Sequence, residues 1–171
     1  YQDVRVPVAN TVGPVNMGWS LITAQLNHER VTLATPGAAD RALDEVWSWA
    51  SRTEKPGGGR VIDEPWVQLN LARCHAKLEA LKLLNWKSAW SLEAGDPNPA
   101  VASAVKVPGS EFFVEAYRLL LEITGLAGTV VAGQPGCLFG GFLEQAYRGA
   151  TTLTFGGGVN ELQRELIAQF G

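Results

Sequence analysis

Cysteine, histidine and clustered charge are all scarce in this chain of 171 residues. Cys74 and Cys137 are its two cysteines. They form no CxxC and no Cys/His cluster, which excludes a disulfide framework and a thiolate zinc site. Read as free thiols, they suit a reducing, cytoplasmic compartment. His28 and His75 stand alone, without ligand spacing, so they read as surface or packed histidines and no metal site is expected. The 14 Lys and Arg residues are scattered and the net charge is -3. That argues against nucleic-acid binding, which calls for a basic surface. No apolar run is long enough to span a bilayer. Gly57-Gly58-Gly59 is followed by no Lys-Ser or Lys-Thr, so it reads as a linker rather than a phosphate loop.

Hydrophobic residues are plentiful, at 46% of the chain, enough for the core of a single domain. Tyr1 to Pro7 alternates like the last strand of a sheet whose other strands are elsewhere. The remainder reads as helical. A first long helix is expected from about Asn16, a plausible N-cap, to about Ser51, kinked at Pro36-Gly37. Lys55 to Gly59 breaks the pattern. A second helix is expected from near Asp63 to about Glu93, with Pro65 in its first turn and an apolar stripe of Leu71, Cys74, Leu78 and Leu81. Gly95-Asp96-Pro97 reads as a turn. Asn98-Pro99 is a cap for a third helix ending near Thr124-Gly125, bent at Pro108-Gly109, with Phe113, Ala116, Leu120 and Ile123 on its buried face. A Gly-rich connection follows from Gly125 to Gly141, then a short helix from Phe142 to Arg148. After Gly156-Gly157-Gly158, Asn160 and Gln163 suit a capping box for a last helix. The fold class is therefore all-α: an antiparallel up-and-down helical bundle over residues 16–171, preceded by a strand remnant or linker over residues 1–15. Trp86, Trp90 and the Phe112-Phe113 pair exceed what one stripe needs and are expected to mark an assembly surface.

Glu29 is the most informative polar residue. It sits within Leu26-Asn27-His28-Glu29-Arg30-Val31-Thr32-Leu33-Ala34, in a mostly apolar helix. A carboxylate there must be paired, protonated or placed in a site. Arg30 is its neighbour in sequence but points about 100° away on a helix. Pattern alone leaves both a solvated or salt-bridged Glu and a site residue open.

Three segments carry a family resemblance. Asp3-Val4-Arg5-Val6-Pro7, then Gly13 and Gly18-Trp19, is similar to the passage in which the middle β-domain of acyl-CoA dehydrogenases hands over to their C-terminal helical domain. Ala102-Ser103-Ala104-Val105-Lys106, with Ser110-Glu111, resembles the start of that domain's third helix. Arg148-Gly149-Ala150, then Gly156 to Arg164, resembles the closing signature, Arg-Asp-Ala followed by Tyr-Glu-Gly-Thr-Ser-Glu/Gln-Ile-Gln-Arg. The resemblance implies FAD-dependent α,β-dehydrogenation of an acyl-CoA thioester. It also implies a tetramer, homomeric or heteromeric, that passes electrons to electron-transfer flavoprotein.

The family places its catalytic carboxylate in one of two positions. The commoner is the Glu of Tyr-Glu-Gly-Thr, and the matching position here is Gly157, which cannot act as a base. The other lies on the first helix, in the Leu-Asp-x-Glu-Arg stretch of isovaleryl-type enzymes, and Leu26-Asn27-His28-Glu29-Arg30 is similar to it. The resemblance thus implies Glu29 as the base, Asn27, Arg30 and Gly157 beside the substrate, and Gly158, Val159, Asn160 and Glu161 beside the cofactor. The Gly157 N–H would hydrogen-bond the enolate oxygen. Departures are clear. Lys55 and Gly58 stand where the family's Arg-x-x-Phe-Gly contacts a neighbouring subunit's FAD. Gln134-Pro135-Gly136 and Gly140-Gly141 only echo the Gln-x-x-Gly-Gly-x-Gly loop, and Val159-Asn160 replaces Thr-Ser. Such asymmetry resembles the heteromeric α2β2 enzymes of actinobacterial steroid side-chain breakdown. Two other readings stay open: a non-catalytic subunit that completes a heteromer, and a flavin monooxygenase on the same fold.

Overall fold

The computed structural model describes residues 1–95 and 98–171, and within the first helix it leaves the side chains of Asn27, His28 and Val31 undescribed. The expected turn at Asp96-Pro97 falls outside the described residues. Among the described residues six α-helices follow one another: α1 Gly18–Thr32, α2 Gly37–Arg52, α3 Pro65–Glu93, α4 Pro99–Thr124, α5 Phe142–Ala150 and α6 Asn160–Phe170.

The expected first helix is two helices rather than one kinked helix. Pro36 has no N–H to donate, and its ring opposes the carbonyl four residues back, at Thr32. Thr32 is where α1 stops. The residue before a proline also avoids helical angles, so the chain turns through residues 33–35 and restarts with Pro36 at the N-cap of α2. Asn16 does not cap α1. It has φ 69° and lies in a turn closed by the Met17 N–H on the Pro14 carbonyl. Residues 1–17 are exposed, with a 3-10 turn at Val8–Asn10, and residues 1–7 pair with no strand among the described residues. Among the described residues the β-pairing is an isolated bridge, Glu54 with Arg60, closing the Gly57-Gly58-Gly59 turn. The three glycines have φ of 94°, 100° and 74°. These are left-handed angles that glycine adopts without a Cβ penalty.

The later elements match the pattern more closely. Pro65 occupies the first turn of α3. Leu71, Cys74, Leu78 and Leu81 are all buried, and Val67 and Ser88 extend their stripe. Asn98 caps α4, its side-chain oxygen accepting from the Ala100 N–H at 2.8 Å. α4 is the central helix, buried on nearly every side, because α1, α2, α3, α5 and α6 all pack on it. The packing is antiparallel where contacts define direction. Cys74 meets Ala116 and Asn70 meets Glu122 between α3 and α4. Asn98 meets Phe170 and Ser103 meets Gln163 between α4 and α6. Phe112 and Phe113 are buried in this core, with ring centroids 5.8 Å apart, so they stabilise the bundle and are not an assembly surface. Gly109 admits the turn between α1 and α2: a Cβ there would lie 2.6 Å from the Ala34 Cβ.

Candidate active site

The site forms where the end of α1 meets the glycine loop before α6. Arg30 is buried, and its Nε donates to the Gly157 carbonyl at 2.9 Å. Burial lowers the Arg30 pKa, and the charge of Glu29 partly offsets this. Glu29 is half-buried on the same turn of α1. One turn further, Leu33 packs on the loop: a Cβ on Gly157 would lie 2.9 Å from the Leu33 Cδ1 and 3.3 Å from the Arg30 Cγ. Gly157 itself has φ 69°. Leu33 also borders an apolar cavity of about 310 Å³ between the α1–α2 turn, α4 and α5, walled by Phe113, Tyr117 and Phe142.

The structure therefore brings Arg30 and Gly157 together, although 127 residues separate them, and Glu29 is the preceding residue on α1. The Asn27 side chain lies outside the described set. Gly158 and Asn160 face inward: the Gly158 carbonyl and the Asn160 Oδ1 each accept from the Lys106 Nζ at 2.6 Å. Val159 and Glu161 are exposed on the outer side of the loop.

The capping box expected from Asn160 and Gln163 is absent. Val159 is the N-cap of α6, and Asn160 is the first helical residue. The Asn160 amide is spent on Lys106, Ser110 and Glu111. Gln163 is fully buried and accepts from Ser103. Tertiary hydrogen bonds to α4 win over local capping because both side chains lie on the helix face that packs inward.

Lys106 was not singled out by sequence reasoning. It is fully buried in α4. Besides Gly158 and Asn160, its Nζ donates to the Thr154 carbonyl at 3.1 Å. The usable signal was a lysine inside an apolar run, Val101 to Val107. Burial lowers its pKa, the nearby Arg30 charge adds to the effect, and Glu161 and Glu111 oppose it. Three acceptors nonetheless match the three N–H donors of an ammonium.

The description "Acyl-CoA dehydrogenase, C-terminal domain" belongs to the family model that matches residues 16–171. The chain belongs to the acyl-CoA dehydrogenase family. Acyl-CoA dehydrogenase FadE26 of Mycobacterium tuberculosis is 55% identical over 98% of this chain and 42% of that protein. Acyl-CoA dehydrogenase FadE29 of the same organism is 43% identical over 100% of this chain and 43% of that protein. The ChsE4-ChsE5 complex from Mycobacterium tuberculosis superposes with a TM-score of 0.90 at 54% identity, over 99% of this chain and 43% of the matched chain. The Tcur3481-Tcur3483 steroid ACAD superposes with a TM-score of 0.90 at 44% identity, over the same shares. This acyl-CoA dehydrogenase domain thus spans less than half the length of the relatives it matches.

Proposed function

We propose that this domain is the C-terminal part of an FAD-dependent enzyme that α,β-dehydrogenates a bulky acyl-CoA thioester of the steroid side-chain type, with Glu29 as the base that removes the α-proton. The observation that carries this reading is the Arg30–Gly157 contact. It sets the helix that bears Glu29 against the loop position where the family more often carries its carboxylate. Glu29 is one residue from that contact, which supports a base moved from the loop to α1 and aimed at the same α-carbon.

In this reading the Glu29 carboxylate accepts the α-proton, and the electron pair passes to the thioester oxygen as an enolate. Desolvation and alignment supply the driving force for abstracting so weak an acid. The Gly157 N–H donates to no group among the described residues, which leaves it free to hydrogen-bond the enolate oxygen. Arg30 fixes the loop relative to α1. Bound FAD would accept the β-hydrogen as hydride. The residues assigned to it fit only in part, since Gly158 and Asn160 are tied inward and only the exposed Val159 and Glu161 remain. The apolar side chains exposed in the N-terminal segment, among them Val12, Trp19 and Ile22, suit a surface covered by the enzyme's other domains over residues 1–15 and the start of α1. Electron-transfer flavoprotein is the expected electron acceptor.

Assembly with a second, homologous acyl-CoA dehydrogenase subunit is part of the proposal. Leu83, Trp86 and Trp90 line one face of α3 and are 70%, 75% and 70% exposed. The likeness to the two-chain ChsE4-ChsE5 and Tcur3481-Tcur3483 structures supports a heteromer, and it keeps the non-catalytic subunit as the second reading. The test is to purify the full-length protein with its partner subunit, then measure bound flavin and dye-linked oxidation of a steroid side-chain CoA thioester. A flavin-free complex, or one that does not oxidise the thioester, sinks the enzyme reading.

A further inference from the structure

Two cations lie buried beneath the glycine loop, and both are aimed at its carbonyls. Lys106 reaches the Thr154 and Gly158 carbonyls from α4, and Arg30 reaches the Gly157 carbonyl from α1. Among the described residues Lys106 forms no ion pair. A buried ammonium without a carboxylate costs several kcal/mol unless hydrogen bonds replace its water. Here the backbone of one loop supplies two of the three replacements. The loop is otherwise weakly held. Gly156, Gly157 and Gly158 have no side chains, and two of them sit at left-handed φ. The Gly158 N–H closes only a local turn on Phe155, at 3.0 Å. The Gln163 Nε2 is buried beneath the loop and makes no hydrogen bond there; it packs so closely that a Cβ on Gly158 would lie 2.4 Å from it.

We propose that Lys106 is a positioning residue for proton abstraction: by holding the Thr154 and Gly158 carbonyls inward, it keeps the Gly157 N–H turned to the thioester oxygen. This rests on the reading that Glu29 is the base and that the Gly157 N–H receives the enolate. A glycine loop without the clamp samples other conformations, and the hydrogen bond that stabilises the enolate is populated for less of the time. The clamp acts on the stability of the enolate, while Glu29 acts on the rate of its formation.

The test uses the full-length enzyme with its partner subunit and FAD, and as the probe the steroid side-chain CoA thioester with its β-carbon replaced by sulfur. In this thioester the α-C–H bond can break, with the proton going to Glu29 and the electron pair to the thioester oxygen. The β-position is sulfur, so no hydride leaves and nothing is oxidised. The enolate stacked on flavin gives a long-wavelength absorbance that is titrated against pH. Lys106→Met should retain flavin and assembly, because an unbranched apolar chain fills the same space. Its enolate should form at a pH higher by about one unit, a tenfold loss in the enolate-to-thioester ratio. Lys106→Gln, which keeps donors on a shorter chain, should fall between the two. An unchanged titration in Lys106→Met overturns the proposal. So does loss of flavin or of folding in both variants, since Lys106 would then be purely structural. Glu29→Gln separates the two claims. It should slow enolate formation by roughly 10²-fold or more, and a parental rate there refutes the base reading whatever Lys106 does.

Discussion

Arg30 Nε and the Gly157 carbonyl are 2.9 Å apart, a hydrogen bond between the last turn of α1 and the loop that precedes α6. The residue that follows Glu29 on α1 thus packs on the loop position where the family more often carries its carboxylate. Only the α1 position carries a carboxylate.

Moving the base back to the loop tests that adjacency. Gly157→Glu places a Cβ 2.9 Å from the Leu33 Cδ1 on a backbone at φ 69°. The double change Glu29→Gly with Gly157→Glu should therefore recover little activity by itself. Adding Leu33→Ala, which opens the space, should raise the rate of flavin reduction above that of the double variant. No gain on trimming Leu33 would mean that the loop position does not reach the same α-carbon.

The same reading assigns Gly109 to packing alone. A Cβ there meets the Ala34 Cβ at 2.6 Å and the Leu81 Cδ1 at 3.1 Å. Gly109→Ala should destabilise the fold by about 1–3 kcal/mol through overpacking. Denaturant unfolding of the intact protein checks this, and a midpoint equal to the parent's contradicts it.

Much of the fold could be read from the pattern, because α3 and α4 announce themselves locally. Pro65 and Asn98-Pro99 mark their starts, and the stripe from Leu71 to Leu81 is buried as its spacing demands. What the pattern misplaced depends on tertiary contacts. Asn160 and Gln163 look like a cap in sequence, yet α4 draws both side chains inward. Phe112 and Phe113 look surplus until α4 is known to be covered on nearly every side. The break at Pro36 was underestimated, because a proline can kink a helix or end it. The site was legible only in part. Glu29 and Gly157 came from resemblance, whereas the Arg30 and Lys106 contacts that organise the loop have no local signature.

Cys74 and Cys137 should differ sharply in reactivity. Burial, with Glu115 nearby, pushes the Cys74 thiol up to about 11, while Cys137 is half-buried in a loop. Alkylation of the native protein near neutral pH should label Cys137 and spare Cys74, as mass spectrometry of the peptides would show. The unfolded chain loses the Cys74 proton from its ordinary value of 9.0, and the folded chain holds it to about 11. Unfolding therefore releases a proton between those values, and stability should fall as pH rises through that window. Cys74→Ala should flatten that part of the alkaline decline. Equal labelling of both thiols would contradict the burial.

The α3 face should hold the assembly together. Trp86→Asp with Trp90→Asp should leave the helical circular-dichroism spectrum intact, because both side chains are exposed in the single chain. Sedimentation velocity of the full-length variant with its partner should then show smaller species than the parent at micromolar concentration. An unchanged sedimentation coefficient would place the subunit contact elsewhere.

The central claim is that Glu29 takes the α-proton. In the full-length enzyme with its partner and FAD, anaerobic mixing with a matching acyl-CoA bleaches the flavin absorbance in a single turnover. Glu29→Gln keeps the shape of the side chain but cannot accept the proton, and general-base loss is worth roughly 10²–10⁴ in rate. The account predicts a Glu29→Gln enzyme that folds, retains flavin and binds the thioester, yet bleaches slower by at least that range. Bleaching at the parental rate would contradict it and move the base to the partner subunit.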